Sequence, residues 1–600
     1  MSDPPQVLRV ANCSGFFGDR VSAAREMVDG GPIDVLTGDW LAELTMYILH
    51  KTRERSGGFA RSFLQQLEDV LPTCIERGIT IVSNAGGLNP EGLADAVREL
   101  ARRQGLAVRV ASVSGDDITG RVRELVAGGT DFVNLDTKEA LPPDAPVVTA
   151  NAYLGARPIA DALAAGAQVV VTGRVTDASL AVGPALHAFG WGDGDLDAIA
   201  GAVVAGHVIE CGAQCCGGNY AFFGEIADPV RIGFPIAEIH ADGSSVITKH
   251  PGTGGAVTVG TVTAQLLYEI GGPRYLSPDA VARFDTVAVD QEGPDRVRIG
   301  QVKGEPPPPT LKVTANLEAG WRNSMTLAIT GAMVEEKARL ASSTVWAGIP
   351  GGRESFAETS EDLSGDLTGD GMAFLRLAVR GYDDGAVGRA FSGAVVETSL
   401  SSYPGTFFTS VPGRAQAVAR YWPTTIAACL VAPRIECDGV PVAASPRLGD
   451  ADGSPVPEMV ETKPARAPVI VGESVTVPLW VLVGGRSGDK GGDANVGLWA
   501  DSELVAQWLC DTFGVAQFCE ALPEAASFDV ERHPLPNLWA VNFVVHGLLG
   551  WGVASNLRLD AQAKGLAERV RSHAVVVPSA LLASGKPSQR ALQGADLRHR

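Results

Sequence analysis

Short apolar runs alternate with amphipathic segments along the first part of the chain. The runs that predict strands are Val7–Ala11, Ile33–Thr37, Ile79–Ser83, Ala107–Val113, Val147–Ala150 and Gln168–Thr172. Within this part, Pro90–Gln104 places Leu93, Val97 and Leu100 on one stripe with charged residues opposite, which predicts an amphipathic helix. Alternating strands and helices favour the α/β class with a mostly parallel sheet, either an open Rossmann-like sheet, our first choice, or a barrel.

The pattern changes in the middle of the chain. Residues 225–345 are dense in Gly and Pro and predict short strands, which we interpret as a β-rich elaboration of the large domain. Residues 350–370 are polar and predict a solvated loop. Residues 444–474 are rich in Ala, Ser, Asp, Gly and Pro with little periodicity, which is typical of a linker.

A second unit follows this linker. A strand pattern starts at Val475, a helix is predicted over Ser502–Thr512, an apolar run covers Ala540–Val545, and a last helix is predicted from Asp560. We therefore expect a large α/β domain over residues 1–445, a linker over 446–474 and a small α+β domain over 475–600.

Composition and charge limit the classes of function. The chain has 600 residues, more than one hydrophobic core usually supports, and a formal net charge of -20. That excess of acidic residues repels phosphate backbones and anionic membranes, so we expect no nucleic-acid or membrane partner. The first residues lack a basic region followed by a long apolar run, and nine irregularly spaced cysteines make no disulfide framework, so we expect a cytoplasmic location.

Polar residues follow each predicted strand of the first part. In a parallel sheet these positions share the carboxyl edge, where ligands bind, so we take them as candidate catalytic residues. A single such loop is ordinary turn chemistry, but six of them favour a shared pocket. The candidates are Asp39, Asn84, Asp116, Asn151, Arg174 and Asp177. Arg174 can clamp a carboxylate or phosphate, or it can simply staple the turn by pairing with Asp177.

A further candidate acid–base pair lies in the segment Gly206–Asn219. His207 and Glu210 are three residues apart, so a helix would place them on one face. Cys211, Cys215 and Cys216 follow, but no second set of ligands accompanies them, so we expect these cysteines to bind no zinc.

Two glycine-rich segments are candidates for anion binding. Thr248–Gln265 has Gly254 and Gly255 near Lys249, where backbone N–H groups can cradle a phosphate. Gly484–Gly497 places charged residues between glycines without matching a P-loop or a calcium loop, and the alternative for it is a charged hairpin loop. Its candidate ligand-binding residues are Arg486, Asp489, Lys490, Asp493 and Asn495.

Several long motifs resemble the acyclic terpene utilisation (AtuA-type) family. They are Thr172–Leu180, Gly206–Asn219, Gly233–Glu238, Leu266–Ile270, Arg486–Gly497 and Leu535–Phe543. The resemblance runs through nearly the whole chain and implies a large N-terminal AtuA domain with a small C-terminal ferredoxin-like domain. It also implies a role in the bacterial breakdown of branched, terpenoid acyl-CoA compounds, beside acyl-CoA carboxylases, dehydrogenases and hydratases.

Two classes of function follow from that resemblance. The first is a lyase or hydratase that acts on a branched acyl-CoA, a coenzyme A thioester being the substrate rather than a resident cofactor. Retro-aldol lyases often recruit a divalent metal, although no ligand set in the sequence demands one. The second is a non-catalytic acyl-CoA-binding or scaffold subunit of an acyl-CoA carboxylase assembly. The apolar run around Phe543 and Trp551 suggests that the small domain helps to form a homo-oligomer.

Overall fold

The computed structural model describes residues 5–447 and 473–584. Its strands in chain order are β1 (Val7–Asn12), β2 (Val35–Gly38), β3 (Thr80–Ser83), β4 (Val110–Ser114), β5 (Val147–Ala152), β6 (Val169–Thr172), β7 (Pro235–His240), β8 (Ser245–Lys249), β9 (Arg274–Tyr275), β10 (Val281–Arg283), β11 (Ala288–Gly293), β12 (Arg296–Gly300), β13 (Lys303–Glu305), β14 (Thr310–Thr330), β15 (Glu358–Gly365), β16 (Met372–Gly381), β17 (Phe407–Phe408), β18 (Gln416–Ala427), β19 (Arg434–Cys437), β20 (Val440–Val442), β21 (Ser474–Pro478), β22 (Val483–Lys490), β23 (Asp493–Ala500), β24 (Val530–Leu535), β25 (Ala540–Val545) and β26 (Ala574–Pro578).

The helices lie between these strands. They are α1 (Ala23–Gly30), α2 (Glu43–Lys51), α3 (Arg53–Ser56), α4 (Arg61–Arg77), α5 (Pro90–Arg103), α6 (Val122–Ala127), α7 (Arg157–Ala164), α8 (Ser179–Phe189), α9 (Leu196–Glu210), α10 (Val259–Leu266), α11 (Val334–Ala347), α12 (Phe391–Glu397), α13 (Glu503–Thr512), α14 (Val515–Ala521), α15 (Leu566–Ser572) and α16 (Ala580–Ser584). No helix of the described residues is long and apolar enough to cross a membrane.

Five parallel strands form the centre of the main sheet. They pair in the order β1-β2-β3-β6-β4, and antiparallel strands extend both edges to give β11-β12-β8-β7-β1-β2-β3-β6-β4-β19-β20. Helix α5 shows why the sequence folds this way, because the Asn89 side chain accepts a hydrogen bond from Gly92 N at its start and Leu93, Val97 and Leu100 are buried. The predicted α/β class with a parallel sheet is confirmed, and the sheet is open rather than a barrel.

A second sheet lies beside the first and is built on the long strand β14. Strands β16, β17, β18 and β5 all pair with β14 in antiparallel fashion, and β15 pairs with β16. The expectation that Val147–Ala150 belongs to the parallel sheet is therefore wrong. The predicted loop over residues 350–370 is also wrong in part, because it contains β15.

The small domain is an antiparallel sheet of order β22-β23-β25-β24 covered by helices α13, α14 and α15. The last of these begins at Leu566, later than the predicted start at Asp560. Most of the predicted linker, residues 448–472, lies outside the described residues, so the domain boundaries stay a prediction.

The small domain docks on the large one through many contacts. Trp499 stacks on Tyr220, and the Trp551 ring lies under the guanidinium groups of Arg380 and Arg420, at 4.0 and 4.9 Å. Phe543 stacks on Phe518 within the small domain's own core. The apolar run that suggested a homo-oligomer is thus covered within one chain, which removes that motive, and the oligomer itself stays a prediction.

Candidate functional site

Two residues from neighbouring strand ends meet at the carboxyl edge of the parallel sheet. Asn84 Nδ2 donates to Asp39 Oδ1 at 2.6 Å, and Asn84 Oδ1 accepts from Trp40 N at 2.8 Å. Asp39 Oδ1 also accepts from Leu41 N. Both side chains are buried, and burial, with the nearby charge of Asp177, raises the pKa of Asp39 well above its usual range. Burial therefore favours the protonated form of the Asp39 carboxyl.

A second buried acid, Asp116, ties two strand ends together. Its Oδ2 accepts from Asn151 Nδ2 at 2.8 Å and from the backbone N of Arg174 at 2.9 Å. Burial raises the pKa of Asp116 to about 7. Gly173 permits this approach, since a Cβ there would lie 2.2 Å from Asp116 Oδ1. Asn151 thus joins the group of strand-end residues although its strand belongs to the second sheet.

The Arg174 side chain is held at its tip by protein groups. Its Nη1 donates to Leu41 O and to Asp177 Oδ1, both at 2.7 Å, and the guanidinium lies 4.1 Å from the centre of the Tyr153 ring. The turn-stapling pair with Asp177 therefore forms. Arg174 is buried, whereas Asp177 is partly exposed. Asp177 is the member of the pair that is more open to a ligand.

Helix α9 places His207 and Glu210 beside this edge. His207 Nδ1 lies 3.2 Å from Glu210 Oε1, and the imidazole packs against the rings of Tyr275 and Phe284. Burial lowers the pKa of His207 to about 4 and raises that of Glu210 well above its usual range. Burial therefore favours the neutral form of both side chains.

One pocket collects three of these acids. Its volume is about 10 Å³, roughly the space of one water molecule, and it is lined by Asn12, Thr37, Asp39, Asp177, Leu180, Ala181, Gly206, Ile209 and Glu210. Asn12 fixes this arrangement, because its Nδ2 donates to the carbonyls of Ile209 and Glu210 and so ties the end of α9 to the end of β1. Among the predicted catalytic residues, Asp39, Asp177 and Glu210 are brought to a common cavity.

Sequence reasoning missed a neighbouring cluster around Glu43 on helix α2. Glu43 Oε1 lies 3.3 Å from Lys312 Nζ, 3.3 Å from Tyr153 Oη and 3.4 Å from Tyr421 Oη. We call these four residues the Glu43 cluster. Burial opposes ionisation of Glu43, but the charges of Lys312 and Arg174 outweigh it and lower the pKa of Glu43 to about 2. The available signal was Lys312 itself, a lone charge in the apolar run that opens β14.

The segment Gly484–Gly497 forms a β-hairpin, in agreement with the alternative prediction for it. In the pairing of β22 with β23, Val483 lies opposite Ala500 at one end and Lys490 lies opposite Asp493 at the other. Gly491 and Gly492 form the turn. Arg486 donates to Asn219 O and lies over the Tyr268 ring at 4.5 Å. These contacts belong to the docking of the two domains, and the role of the segment in ligand binding stays a prediction.

The remaining charged residues of the hairpin have mixed surroundings. Asp489 Oδ1 pairs with Lys564 Nζ at 3.3 Å. Lys490 Nζ donates to the carbonyl of Glu269 at 3.1 Å. Asp493 accepts from His546 Nδ1 and from Gly547 N, both at 2.8 Å. The charge of Lys490 interacts with Lys312, Glu269 and Glu43 of the large domain.

Asn495 has a structural partner in each domain. Its Nδ2 donates to Leu267 O and to Asn542 Oδ1, both at 2.8 Å, and its Oδ1 accepts from Glu269 N at 3.0 Å. The side chain is fully buried. The predicted role in ligand binding is therefore replaced by a role in holding the Leu267–Gly271 segment.

The first glycine-rich segment has no free cation. Lys249 Nζ is buried, donates to Thr253 O at 2.7 Å and pairs with Asp295 Oδ2 at 3.2 Å. A Cβ on Gly254 or Gly255 would lie within 2.4 Å of the backbone oxygens of Asp228 and Cys216, so both glycines serve close packing. Protein groups thus contact Lys249 and crowd both glycines, and the phosphate cradle at Lys249, Gly254 and Gly255 stays a prediction.

The structure offers no metal centre in the parts of the chain that it describes. No group of three or more His, Cys, Asp or Glu side chains over residues 5–447 and 473–584 is arranged to hold an ion. Cys211, Cys215 and Cys216 are free thiols. The expectation that these cysteines bind no zinc stays a prediction.

Comparison with known proteins identifies both parts of the chain. Residues 8–437 match the family model described as acyclic terpene utilisation family protein AtuA, and residues 477–576 match the AtuA ferredoxin-like domain. These matches confirm the resemblance noted in the sequence motifs and the ferredoxin-like character of the small domain. No curated protein and no solved structure matches the chain.

Proposed function

The chain belongs to the acyclic terpene utilisation (AtuA) family, and from that premise we propose that it is an enzyme acting on branched acyl-CoA thioesters as a lyase or hydratase. Family membership supports a role in terpene catabolism. The observation that carries the enzymatic part is the pocket on which Asp39, Asp177 and Glu210 converge. Clusters of titratable groups with shifted pKa values are typical of active sites.

The proposed chemistry needs proton transfer beside a thioester. Hydration of a double bond and retro-aldol cleavage both pass through an enolate, whose protonation requires an acid close to the thioester. Burial raises the pKa of both Asp39 and Glu210 and so favours their protonated forms, which makes either a candidate proton donor. Asp177, paired with Arg174, is the carboxylate that can accept a proton. The pocket thus contains both partners of an acid–base step.

The large domain and the small domain both contribute to the ligand site in this proposal. Lys490 lies at the hairpin tip, with its Nζ on the carbonyl of Glu269 in the large domain, and there it can bind a phosphate of coenzyme A, whereas Arg486 is occupied by its contacts with Asn219 and Tyr268. Sites between domains are common for ligands of this size. The rival role as a non-catalytic acyl-CoA-binding or carboxylase-associated subunit does not require a pocket lined by three acids.

The proposal is tested by turnover of branched 2-enoyl-CoA and 3-hydroxyacyl-CoA compounds, followed by chromatography of the thioesters. We expect Asp39→Asn and Glu210→Gln to lower kcat by about 10²–10⁴-fold, the usual contribution of a general acid or base. Asp117→Asn is the matched control, because Asp117 is the exposed neighbour of Asp116. Tight binding of these thioesters without turnover would favour the non-catalytic role.

A further inference from the structure

Two lysines, one from each domain, lie in or beside the Glu43 cluster. Lys312 lies near the start of β14, with its Nζ 3.3 Å from Glu43 Oε1. Lys490 lies at the end of β22, and its Nζ donates to a neutral group, the carbonyl of Glu269. The side chains of Lys312 and Glu43 are 39% and 32% exposed, so both are partly accessible to a ligand.

The hairpin turn fixes the position of Lys490. Gly491 packs against Tyr421, since a Cβ at Gly491 would lie 2.7 Å from Tyr421 Cε1. Gly492 N donates to Asp136 Oδ2 at 2.9 Å. Tyr421 belongs to the Glu43 cluster, so the turn that follows Lys490 is seated directly on that cluster.

Carboxylates act on both lysines. Glu43 contacts Lys312, and the charges of Glu269, Glu43 and Asp493 act on Lys490. Burial of the Lys490 amine, followed by repulsion from Lys312, lowers the pKa of Lys490. An anionic group in contact with both lysines would offset the repulsion between them.

We propose that Lys312 and Lys490 together bind a carboxylate or phosphate group of the ligand. Glu43 positions Lys312 through their contact, and Tyr153 and Tyr421 position Glu43. The site lies beside the acidic pocket, because the Tyr153 ring also carries the guanidinium of Arg174, which pairs with Asp177. A carboxylate on the acyl chain would bind here next to the reacting carbons, and a phosphate would come from coenzyme A.

The test is calorimetric titration of the full chain with glutaryl-CoA, valeryl-CoA and coenzyme A alone. Glutaryl-CoA and valeryl-CoA differ in having or lacking a terminal carboxylate on chains of equal length. The variants are Lys312→Met and Lys490→Met, which keep the length of the side chain and remove its charge. Lys303→Met is the control, because Lys303 is an exposed lysine paired with Asp197. Melting curves show whether each variant is folded, and Lys312→Arg restores the charge.

If the site holds an acyl carboxylate, wild type binds glutaryl-CoA at least about tenfold more tightly than valeryl-CoA, and both lysine variants lose that preference. If it holds a phosphate, both variants weaken all three ligands by a similar factor. Either result supports the site and identifies which part of the ligand supplies the anionic group. Folded variants that bind all three ligands as wild type does would overturn it.

The inference rests on the proposed function for its choice of thioester probes, and the two can fail separately. Turnover or binding of thioesters that is insensitive to Lys312 and Lys490 leaves the proposed function intact and refutes the site. If wild type binds none of the coenzyme A compounds, the proposed function fails. Titration with glutarate and inorganic phosphate then decides the inference, which stands only if Lys312→Met abolishes binding of one of them.

Discussion

Asn495 Nδ2 lies 2.8 Å from Asn542 Oδ1, and these two buried amides of the small domain together hold one segment of the large domain. Asn495 bonds the backbone of Leu267 and Glu269, while Asn542 Nδ2 donates to the carbonyls of Ile270 and Gly271. Glu269 adopts a left-handed backbone conformation with φ 56°, which is unusual for a residue other than glycine. The asparagine pair therefore fixes the segment that carries the backbone partner of Lys490.

Removing this clamp should destabilise the docked protein. We expect Asn495→Ala to lower the free energy of unfolding by about 1–3 kcal/mol, because it leaves buried backbone groups of Leu267 and Glu269 without a partner. Thermal melts and limited proteolysis measure the effect. Gln517→Ala, which removes one hydrogen bond on an exposed surface of the same domain, is the control and should change little. Equal melting temperatures for wild type and Asn495→Ala would refute the clamp.

The raised pKa of Asp116 predicts a pH dependence of stability. The folded state holds this proton up to about pH 7, whereas the unfolded chain releases it near pH 4. Between these values the folded state binds more protons, so the stability of the wild type falls as pH rises. Asp116→Asn should remove this loss and gain stability relative to wild type from about pH 4 to 7. Denaturant titrations at several pH values test this, with Asp117→Asn as the control.

His546 predicts a pH dependence of stability with a different cause. Burial opposes its charged form, but the carboxylates of Asp493 and Glu531 outweigh burial and raise the pKa of His546. The stabilisation is then fully present below about pH 6.5, the ordinary value, and is lost as pH rises through the folded-state value. His546→Gln should therefore lower the melting temperature more at acidic than at alkaline pH. His50→Gln, at an exposed position on α2, should show no such difference.

Two hairpin glycines offer a matched pair of substitutions. Gly491 has φ 68° and Gly439 has φ 80°, so alanine costs about 1–2 kcal/mol of backbone strain at either position. At Gly439 a Cβ would meet nothing within 4 Å, whereas at Gly491 it would collide with the Tyr421 ring. We expect Gly491→Ala to destabilise the protein by about 1–3 kcal/mol more than Gly439→Ala. It should also weaken thioester binding, because the turn beside Lys490 moves. Equal effects in melting and titration would show that the turn does not need this contact.

The parallel part of the fold could be predicted because its determinants are local. Apolar runs such as Val169–Thr172 are buried on both faces of the sheet, and the polar residues that follow them reach one edge. The partner of β5 could not be predicted in this way. Its register on β14 depends on a contact between residues far apart in the chain. The periodicity of apolar residues along the sequence does not encode such a contact.

The hairpin could not be predicted as a pair of strands, for a different reason. Gly, Ser, Asp and Ala dominate β22 and the start of β23, and none of these residue types favours a β-strand. The structure gives their purpose, because a Cβ on Gly488 or Gly497 would lie 2.6 Å from Tyr268 or Leu267. Small residues allow the two domains to approach closely. The Glu43 cluster was missed because its members come from four separate elements and form no motif along the chain.

The pairing of β5 with β14 also constrains how the protein is made. Roughly 160 residues separate Ala152 from Val313, its neighbour in the sheet, so a ribosome adding about 5–20 residues per second delivers that neighbour many seconds later. During this interval the nascent chain carries an apolar strand with open hydrogen-bonding groups, a species prone to aggregation. We expect the yield of native protein to depend on the chaperones that meet the growing chain. A chain released before the small domain is made contains the parallel strands and the acids at their ends. It lacks Lys490, which lies in the last hundred or so residues.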